Sequence, residues 1–376
     1  MKRRGFLLIS FLSSVLFAAA IHMFSGYLKE QLPHELTAAS WDKEGNSAHI
    51  SIYFSESEKY ALKQNLEGTE FQLEGWYQQI LQELQNASIT VSEEAYYDAR
   101  LAIYGYSASG EVSLSTEHGS TKVKTYGVGG DFFRFHPLKL VYGSYFSQSD
   151  LMQDRIVIDT ETAWKLFGSN DVVGMFVKIN GIPHMVVGVY ERESGYFNDA
   201  AGNGVSSIYV SHETLYRNGQ YHGLETVEYL IPNPVSGFAM NLVEMQCSGM
   251  DVEIMEHQER FTIRGLVNVM KQTGTRSMGL SGITFPYWEN MARGYEDILA
   301  GLLFVEFILL GYALLVFISV AWYLWLHRRW RARDIFGKAQ DAVYAARVKR
   351  YQTRMEHKLK KKSAQTEDEL VFEQFE

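Results

Sequence analysis

Residues 127–168 read GVGGDFFRFHPLKLVYGSYFSQSDLMQDRIVIDTETAWKLFG, and this stretch changes its periodicity several times. Glycines turn the chain first, and DFFRF then predicts a short helical turn that begins at Asp131. LKLVYG is extended, RIVIDT is typical of a buried strand, and TETAWKLFG predicts a helix. Thr160 is placed to cap that helix and Gly168 to end it. Strands and helices that alternate over so short a distance indicate a domain that mixes both.

The glycine cluster at 127–130 invites comparison with a phosphate-binding loop. It matches neither GxGxxG nor GxxxxGK[ST], the spacings that bring backbone N–H groups together at the start of a helix. Asp131 would also place a negative charge at the mouth of such a loop. We therefore interpret the glycines as a turn and predict no cofactor-binding residues.

The remainder of the central region repeats the pattern of strands and helices. Ile50, Ile52 and Phe54 alternate with polar residues in a predicted strand, and residues 76–84 carry apolar side chains at helical spacing. Ser109-Gly110 is predicted to turn one hairpin and Asn180-Gly181 another. The fold class that follows is α+β.

Two long apolar segments enclose this region. Segment 6–27 follows a basic start, and segment 297–326 ends in an aromatic belt and a basic run. The net charge of −9 conceals an acidic body between basic flanks, which predicts that both termini are cytoplasmic. The expected organisation is a cytoplasmic N-terminus (1–5), a membrane helix (6–27), an extracytoplasmic domain (28–296), a second membrane helix (297–326) and a cytoplasmic tail (327–376). A cleaved signal peptide ending near Ala18–Ala20 is the alternative for the first segment.

No catalytic or metal-binding pattern emerges from the polar residues. His212-Glu213 begins an HExx sequence, but Tyr216 stands where a zinc ligand would be required. The other histidines of the central region show no ligand spacing and are expected at the surface or half-buried. We predict no catalytic residues, no metal site and no enzymatic activity. Glu306, within the second apolar segment, is predicted either to contact a polar partner in the membrane or to reach its outer interface.

The opening stretch and its continuation to Tyr190 resemble the extracytoplasmic core domain of MacB/FtsX-type ABC transporter permeases. The resemblance consists of a glycine turn followed by DFF, an LxLxxG segment, a strand and helix ending in LFG, an ING turn and a VVGV strand. The signature residues in this sequence are Gly127, Asp131, Phe132, Phe133, Gly143, Leu166, Phe167, Gly168, Asn180, Gly181 and Gly188. Tyr145 departs from this pattern, since the family commonly has arginine there.

The resemblance implies a MacB-like periplasmic core between two membrane helices in the bacterial cytoplasmic membrane. It implies a permease-like subunit that couples an exported domain to a substrate or partner, in a reduced form with one membrane helix after the domain instead of three. An ABC ATPase subunit or a full-length permease would act in trans, and the chain itself could pair as a homodimer or heterodimer. The alternative is an extracellular sensor or scaffold that does not transport.

The basic tail is the remaining feature of the sequence. It could lie on anionic lipid, pair with an acidic partner or fix the topology of the chain. The lipid bilayer is therefore an expected partner. Nucleic acid is not, because the tail is tethered beside the membrane.

Overall fold

The computed structural model of the chain describes most of the sequence. The described residues are 2–32, 37–42, 46–64, 66–89, 100–147, 150, 152–194, 197–276, 283–326 and 337–356. The helices are α1 (Lys2–Glu30), α2 (Thr37–Trp41), α3 (Glu56–Lys63), α4 (Leu66–Asn86), α5 (Phe132–Phe135), α6 (Thr160–Phe167), α7 (Asn198–Ala201), α8 (His212–Asn218), α9 (Phe238–Gln246), α10 (His257–Arg260), α11 (Ile263–Arg276) and α12 (Tyr287–Leu326). A further helix spans residues 337–356.

Within the part of the chain that the structure describes, ten strands form a single sheet. They are β1 (Ser47–Phe54), β2 (Ile103–Thr116), β3 (Gly119–Gly130), β4 (Lys139–Gly143), β5 (Arg155–Asp159), β6 (Phe176–Ile179), β7 (Ile182–Glu191), β8 (Ser207–Ser211), β9 (Gln220–Pro232) and β10 (Val252–Glu256). Their order is β10-β1-β9-β2-β3-β8-β5-β7-β4, and β6 pairs with both β2 and β7. Pairs β3–β8 and β5–β7 are parallel. The expected α+β class is confirmed.

The pairing of β6 closes part of the sheet into a ring. Its Ile179 lies opposite Leu114 of β2, and the same strand pairs along its length with β7. The ring of β2, β3, β8, β5, β7 and β6 has a core of aliphatic side chains that includes Val112, Ile158 and Val186. The opening stretch of the sequence contributes the end of β3 and the whole of β5 to this ring.

Beyond the ring, β9, β1 and β10 continue as an open sheet, with α4 and α9 packed on one of its faces. Ile50, Ile52 and Phe54 of β1 pack in a core with Trp76 and Ile80 of α4. Helix α9 contributes to the same core. This face follows the alternation in the sequence, because every second residue of a strand points to the same side.

Three local predictions were wrong. The glycines at 127–130, predicted to turn the chain, continue β3 as far as Gly130, where φ is 62°. Ser109 and Gly110 do not form a turn: β2 runs straight through them, and the hairpin closes between Thr116 and Gly119. A register shift in the β2–β9 pairing falls between Ser109 and Gly110, so the small residues mark an irregularity within one long strand. The cap of α6 is Asp159 instead of Thr160, because the Asp159 side chain accepts a hydrogen bond from the Thr162 N–H.

The two predicted turn glycines behave as the sequence indicated. Gly168 ends α6 in the left-handed region with φ 70°. Asn180 and Gly181 turn the β6–β7 hairpin with φ 50° and 84°. Both positions use backbone conformations that other residues rarely adopt.

Among the described residues, two helices are long and apolar enough to cross a membrane, the segments Phe6–Glu30 and Tyr287–Tyr323. The chain divides into two compact units, one of residues 1–18 with 308–376 and the other of residues 19–307. Within the first unit, the Ser14 hydroxyl donates to the Leu309 carbonyl over 2.7 Å. Within the second, α1 ends at Glu30 and α2 is a separate helix. Residues 33–36, between these two helices, lie outside the described residues.

Gly143 has both a positive φ and no room for a side chain. Its φ is 78°, and a Cβ there would lie 2.0 Å from the Val187 carbonyl oxygen. Gly168 has a similar φ with open space around it. We predict that Gly143→Ala lowers the free energy of unfolding by about 2–4 kcal/mol, and Gly168→Ala by about 1 kcal/mol. Chemical unfolding of the full chain in detergent, followed by circular dichroism, measures both losses. Equal losses would contradict a steric role for Gly143.

Candidate functional site

The face of β1 that points away from α4 and α9 carries polar side chains that are nevertheless buried. His49, Ser51 and Tyr53 alternate with the apolar residues of this strand, and each is at most 1% exposed. In an antiparallel sheet such a face commonly meets solvent. Here it is enclosed by protein, so its polar groups must find partners inside the fold.

The first set of partners surrounds Glu228 of β9. Its Oε1 lies 3.1 Å from Nε2 of His49 and accepts a 2.8 Å hydrogen bond from the Ser51 hydroxyl. Its Oε2 contacts Nε2 of His136, the residue that ends α5. Nε2 of His257, at the start of α10, lies 2.7 Å from the Ser51 hydroxyl oxygen. We call these five residues the histidine cluster.

Glu228 is the charged centre of this cluster. Burial alone would raise the pKa of this carboxyl group, but the imidazoles of His136 and His49 outweigh burial and hold the pKa well below its ordinary value. Glu228 is therefore ionised across the physiological range. A carboxylate this deeply buried depends on its hydrogen-bond donors, since unpaired it would be strongly destabilising.

The geometry of the cluster bears on whether it could hold a metal ion. Ligand atoms of His49, Glu228 and His257 lie within 4.8 Å of one another. The rings of His49 and His257, however, are stacked with centroids 3.8 Å apart and planes 6° from parallel. Their in-plane lone pairs therefore run side by side and do not meet at one ion, as the roughly 2 Å bonds of a zinc site require. The absence of a metal site stays a prediction of the sequence.

The second set of partners is an arginine–glutamate network around the first turns of α12. Glu289 contacts the guanidinium of Arg260, and its Oε1 lies 2.7 Å from Nε of Arg293. Arg293 also contacts Glu253 of β10, and its guanidinium lies 3.7 Å from the Phe285 ring centroid. Glu296 joins the network through Arg260 at 3.3 Å and through Arg276 of α11 at 3.4 Å.

The histidine cluster and the arginine–glutamate network are adjacent. The Tyr53 hydroxyl donates to Glu289 over 2.9 Å, and burial with the charges of Glu289 and Glu228 raises the pKa of Tyr53 well above its ordinary value. The ring of His136 lies 4.2 Å from that of Trp288 on α12. Together the two groups form a polar junction that fixes the start of α12 to β1, β9, β10, α10 and α11.

The signature residues lie around this junction and in the ring of strands. Phe132 is buried against His136 and Trp288, with ring centroids 4.9 and 5.6 Å away. Phe133 stacks on Tyr145 at 4.5 Å. Asp131 precedes α5 but makes no capping hydrogen bond there. It forms two parallel hydrogen bonds with Arg100 instead, at 2.8 and 2.9 Å.

The other signature residues shape the strands. Gly127 faces α8, where a Cβ would lie 2.8 Å from Leu215. Gly188 lies opposite Gly143, where β7 pairs with β4. Leu166 is buried in the core of the strand ring, and Phe167 packs at its edge. A small cavity of about 60 Å³ beside Gly129 and Phe133 includes His212, which is held by Glu70 and Tyr221 at 3.0 Å each.

Glu306 has a polar neighbour on α1. Its carboxylate lies 3.5 Å from Nδ1 of His22, and its side chain is 16% exposed while that of His22 is 78% exposed. The role of Glu306 in the membrane stays a prediction. His22 lies in the other apolar helix, so the pair joins α1 to α12.

The expectation that the remaining histidines lie at the surface or half-buried was wrong for four of them: His49, His136, His184 and His257 are at most 6% exposed. His49 and His136 contact Glu228 directly, and His257 is linked to it through the Ser51 hydroxyl. These residues are far apart in the chain, with His49 and Glu228 separated by 179 positions. One signal was present: His49, Ser51 and Tyr53 occupy every second position of a predicted strand, which indicates a shared polar face.

The fold and this geometry can be compared with known proteins. The family model of the MacB-like periplasmic core domain matches residues 7–242. The chain belongs to this family. The match includes His49, His136 and Glu228 of the junction, whereas His257, Arg260 and the start of α12 lie beyond its end. Family membership and the two apolar helices place this MacB-like protein in a cell membrane.

Curated relatives match over a shorter stretch. The macrolide export ATP-binding/permease protein MacB 2 of Aeromonas hydrophila is 40% identical over 73 residues, which are 19% of this chain and 11% of that protein. The MacB protein of Chromobacterium violaceum is 38% identical over 73 residues, with the same coverage. The chain thus matches about a tenth of the length of these relatives.

Two solved structures are also similar. The periplasmic region of MacB from Actinobacillus actinomycetemcomitans has a TM-score of 0.35 and 17% identity, covering 60% of this chain and 91% of that one. The extracellular domain of the noncanonic ABC-type transporter YknZ from Gram-positive bacteria has a TM-score of 0.34 and 17% identity, covering 56% of this chain and 99% of that one.

Arg293 offers a direct test of the arginine–glutamate network. Arg293→Ala would leave Glu289 and Glu253 without this partner, and Glu289 is fully buried. We predict a loss of about 3–5 kcal/mol in the free energy of unfolding, measured by chemical unfolding in detergent. The matched control is Arg217→Ala, which removes the more exposed ion pair with Glu213 and should cost less than about 0.5 kcal/mol. Similar losses in both variants would show that the network does not fix α12.

Proposed function

We propose that this chain is a membrane-anchored, permease-like subunit of an ABC transport or mechanotransmission system. Its exported domain couples to a substrate or to a partner protein, and movement passes between that domain and the membrane through α12. The domain itself carries no chemistry in this proposal, and an ABC ATPase subunit acting in trans supplies the energy. The family to which the chain belongs supports an association with ABC transporters.

The continuity of α12 carries the proposal. The helix spans Tyr287–Leu326, so one helix contains both residues of the polar junction and the apolar segment. Glu289, Arg293 and Glu296 fix its first three turns to the sheet and to α10 and α11. A helix fixed by buried charges transmits displacement, because its fixed end cannot slide without separating those charges.

The proposed topology follows the charge distribution. Residues 1–5 and the tail 327–376 lie in the cytoplasm, residues 6–27 and 297–326 cross the membrane, and residues 28–296 form the extracytoplasmic domain. The basic helix over residues 337–356 is then on the side where an ATPase would be found. In this position it can contact the ATPase or the anionic inner leaflet.

Labelling of single cysteines tests this topology. The native Cys247 is 4% exposed, so its background labelling is low. A cysteine at His118, exposed in the β2–β3 turn, should react with a membrane-impermeant maleimide in intact cells. A cysteine at Lys349, exposed on the 337–356 helix, should react only after the cells are permeabilised. The reverse pattern would overturn the proposed orientation.

Co-purification and ATPase coupling test the function. Full-length protein extracted from native membranes in mild detergent should retain an ABC ATPase, identified by mass spectrometry. In nanodiscs, Arg293→Lys keeps the positive charge but loses the forked geometry of arginine at Glu289 and Glu253. We predict that this variant still assembles with the ATPase while ATP hydrolysis falls several-fold. Lys349→Arg, a conservative change on the tail, serves as the control.

The result that would favour the sensor or scaffold alternative is equally clear. It is a chain that purifies alone from native membranes, with no ATPase retained under several mild detergents. Unchanged ATP hydrolysis with Arg293→Lys would separately show that the junction does not couple the two activities.

A further inference from the structure

We propose that the histidine cluster is a proton-sensitive latch, which holds the start of α12 and α10 to the sheet near neutral pH and releases them in mild acid. The inference concerns the stability of the exported domain. It therefore stands or fails independently of the transport role proposed above.

The hydrogen bonds set the proton count of the cluster. The Ser51 hydroxyl donates its single proton to Glu228, so Nε2 of His257 must donate to the Ser51 oxygen. Because Glu228 is an ionised acceptor, the Nε2 atoms of His49 and His136 donate to it as well. Each imidazole thus already uses its Nε2 proton, and acidification adds a second proton and a full positive charge to the ring.

One carboxylate can balance only one imidazolium. Glu228 contributes a single negative charge to three buried histidines, and its shortest contact is with His136. A further proton must go to His49 or His257, whose rings are stacked 3.8 Å apart. Once both of these rings are charged, they repel each other in surroundings that screen charge poorly. Histidine is the side chain whose unperturbed charge changes between about pH 5 and 8, so mild acid is the range in which the latch is tested.

Two carboxylates lie beside His257: Glu256, which accepts a hydrogen bond from Asn233, and Glu259 in the same short helix. The charged groups on the other surrounding elements have partners of their own, so they offer little compensation. Asp42 at the end of α2 accepts hydrogen bonds from Ser47 and the Asn46 N–H. Other nearby charges form ion pairs among themselves: Asp131 with Arg100 and Arg134 beside α5, and Glu289 with Arg260 of α10 and Arg293 of α12. Glu253 of β10 pairs with Arg293, and Tyr53 of β1 donates to Glu289.

The cluster lies where its loosening would affect α12. His257 is the first residue of α10, the helix that also carries Arg260 of the arginine–glutamate network. His136 packs on Trp288, next to Glu289 in the first turn of α12. Repulsion within the cluster would therefore separate α10 and the start of α12 from β1 and β9, while the ring of strands around β5 and β7 stays intact.

Hydrogen–deuterium exchange of the full-length protein in nanodiscs tests the latch. Exchange is followed at about pH 7.5 and about pH 5.5 and corrected for the intrinsic chemical rates. We expect protection of residues 257–260 and 287–296 to fall by about tenfold or more at the lower pH, with little change in α6. His257→Gln, which keeps an amide donor near Ser51 but cannot become charged, should abolish this pH dependence. His118→Gln, at an exposed turn, should leave it intact.

Three results would overturn the proposal. One is wild-type protein whose protection is the same at both pH values. Another is a His257→Gln variant that keeps the full pH dependence; if this variant does not fold, His49→Gln applies the same test from the other stacked ring. The third is a rise in melting temperature on adding Zn²⁺ to the wild type that His257→Gln removes, since that would assign the cluster to a metal ion.

Discussion

Burial of the polar face of β1 is the constraint on which the rest of the structure depends. A strand with Ile50, Ile52 and Phe54 on one side and His49, Ser51 and Tyr53 on the other would ordinarily leave the second side in water. Here both faces are at most 1% exposed. The domain must therefore supply a partner for each polar group, and it does so with residues from β9, α5, α10 and α12. The hydrogen-bonding needs of the buried polar side chains of β1 thus fix the positions of four other elements.

Buried ion pairs of this kind fix the relative positions of helices and strands more than they raise the free energy of unfolding. Removing charges from water costs several kcal/mol for each ion, and well-packed apolar residues often stabilise a core equally well. An apolar contact would also let α12 slide or rotate against the sheet at little cost. Arg293 does not allow this, because its guanidinium contacts Glu289 and Glu253 from fixed directions. For a helix that would transmit movement, a defined position is worth more than additional stability.

The sequence predicted features that depend on local periodicity and on turn chemistry. The Asn180-Gly181 hairpin and the end of α6 at Gly168 each follow from residues close together in the chain. The family was likewise recognisable from a nearly continuous run of about 60 residues. The hairpin predicted at Ser109-Gly110 was wrong because small residues also suit an irregularity within a long strand, and only the partner strand distinguishes the two.

The polar junction could not be predicted in the same way, because its members meet only through tertiary pairing. Glu228 lies 92 residues from His136, and no local pattern links them. Their meeting depends on the registers of β1 on β9 and of β9 on β2, since a shift of one residue would turn Glu228 to the opposite, apolar face. The signature residues shape the ring of strands, and they therefore identify the fold of the domain. The groups that join this scaffold to its membrane helix come partly from the matched region and partly from α10 and α12 beyond it. Features that distinguish this chain from other members of the family are therefore best sought where the matched region ends, at α10 and the start of α12.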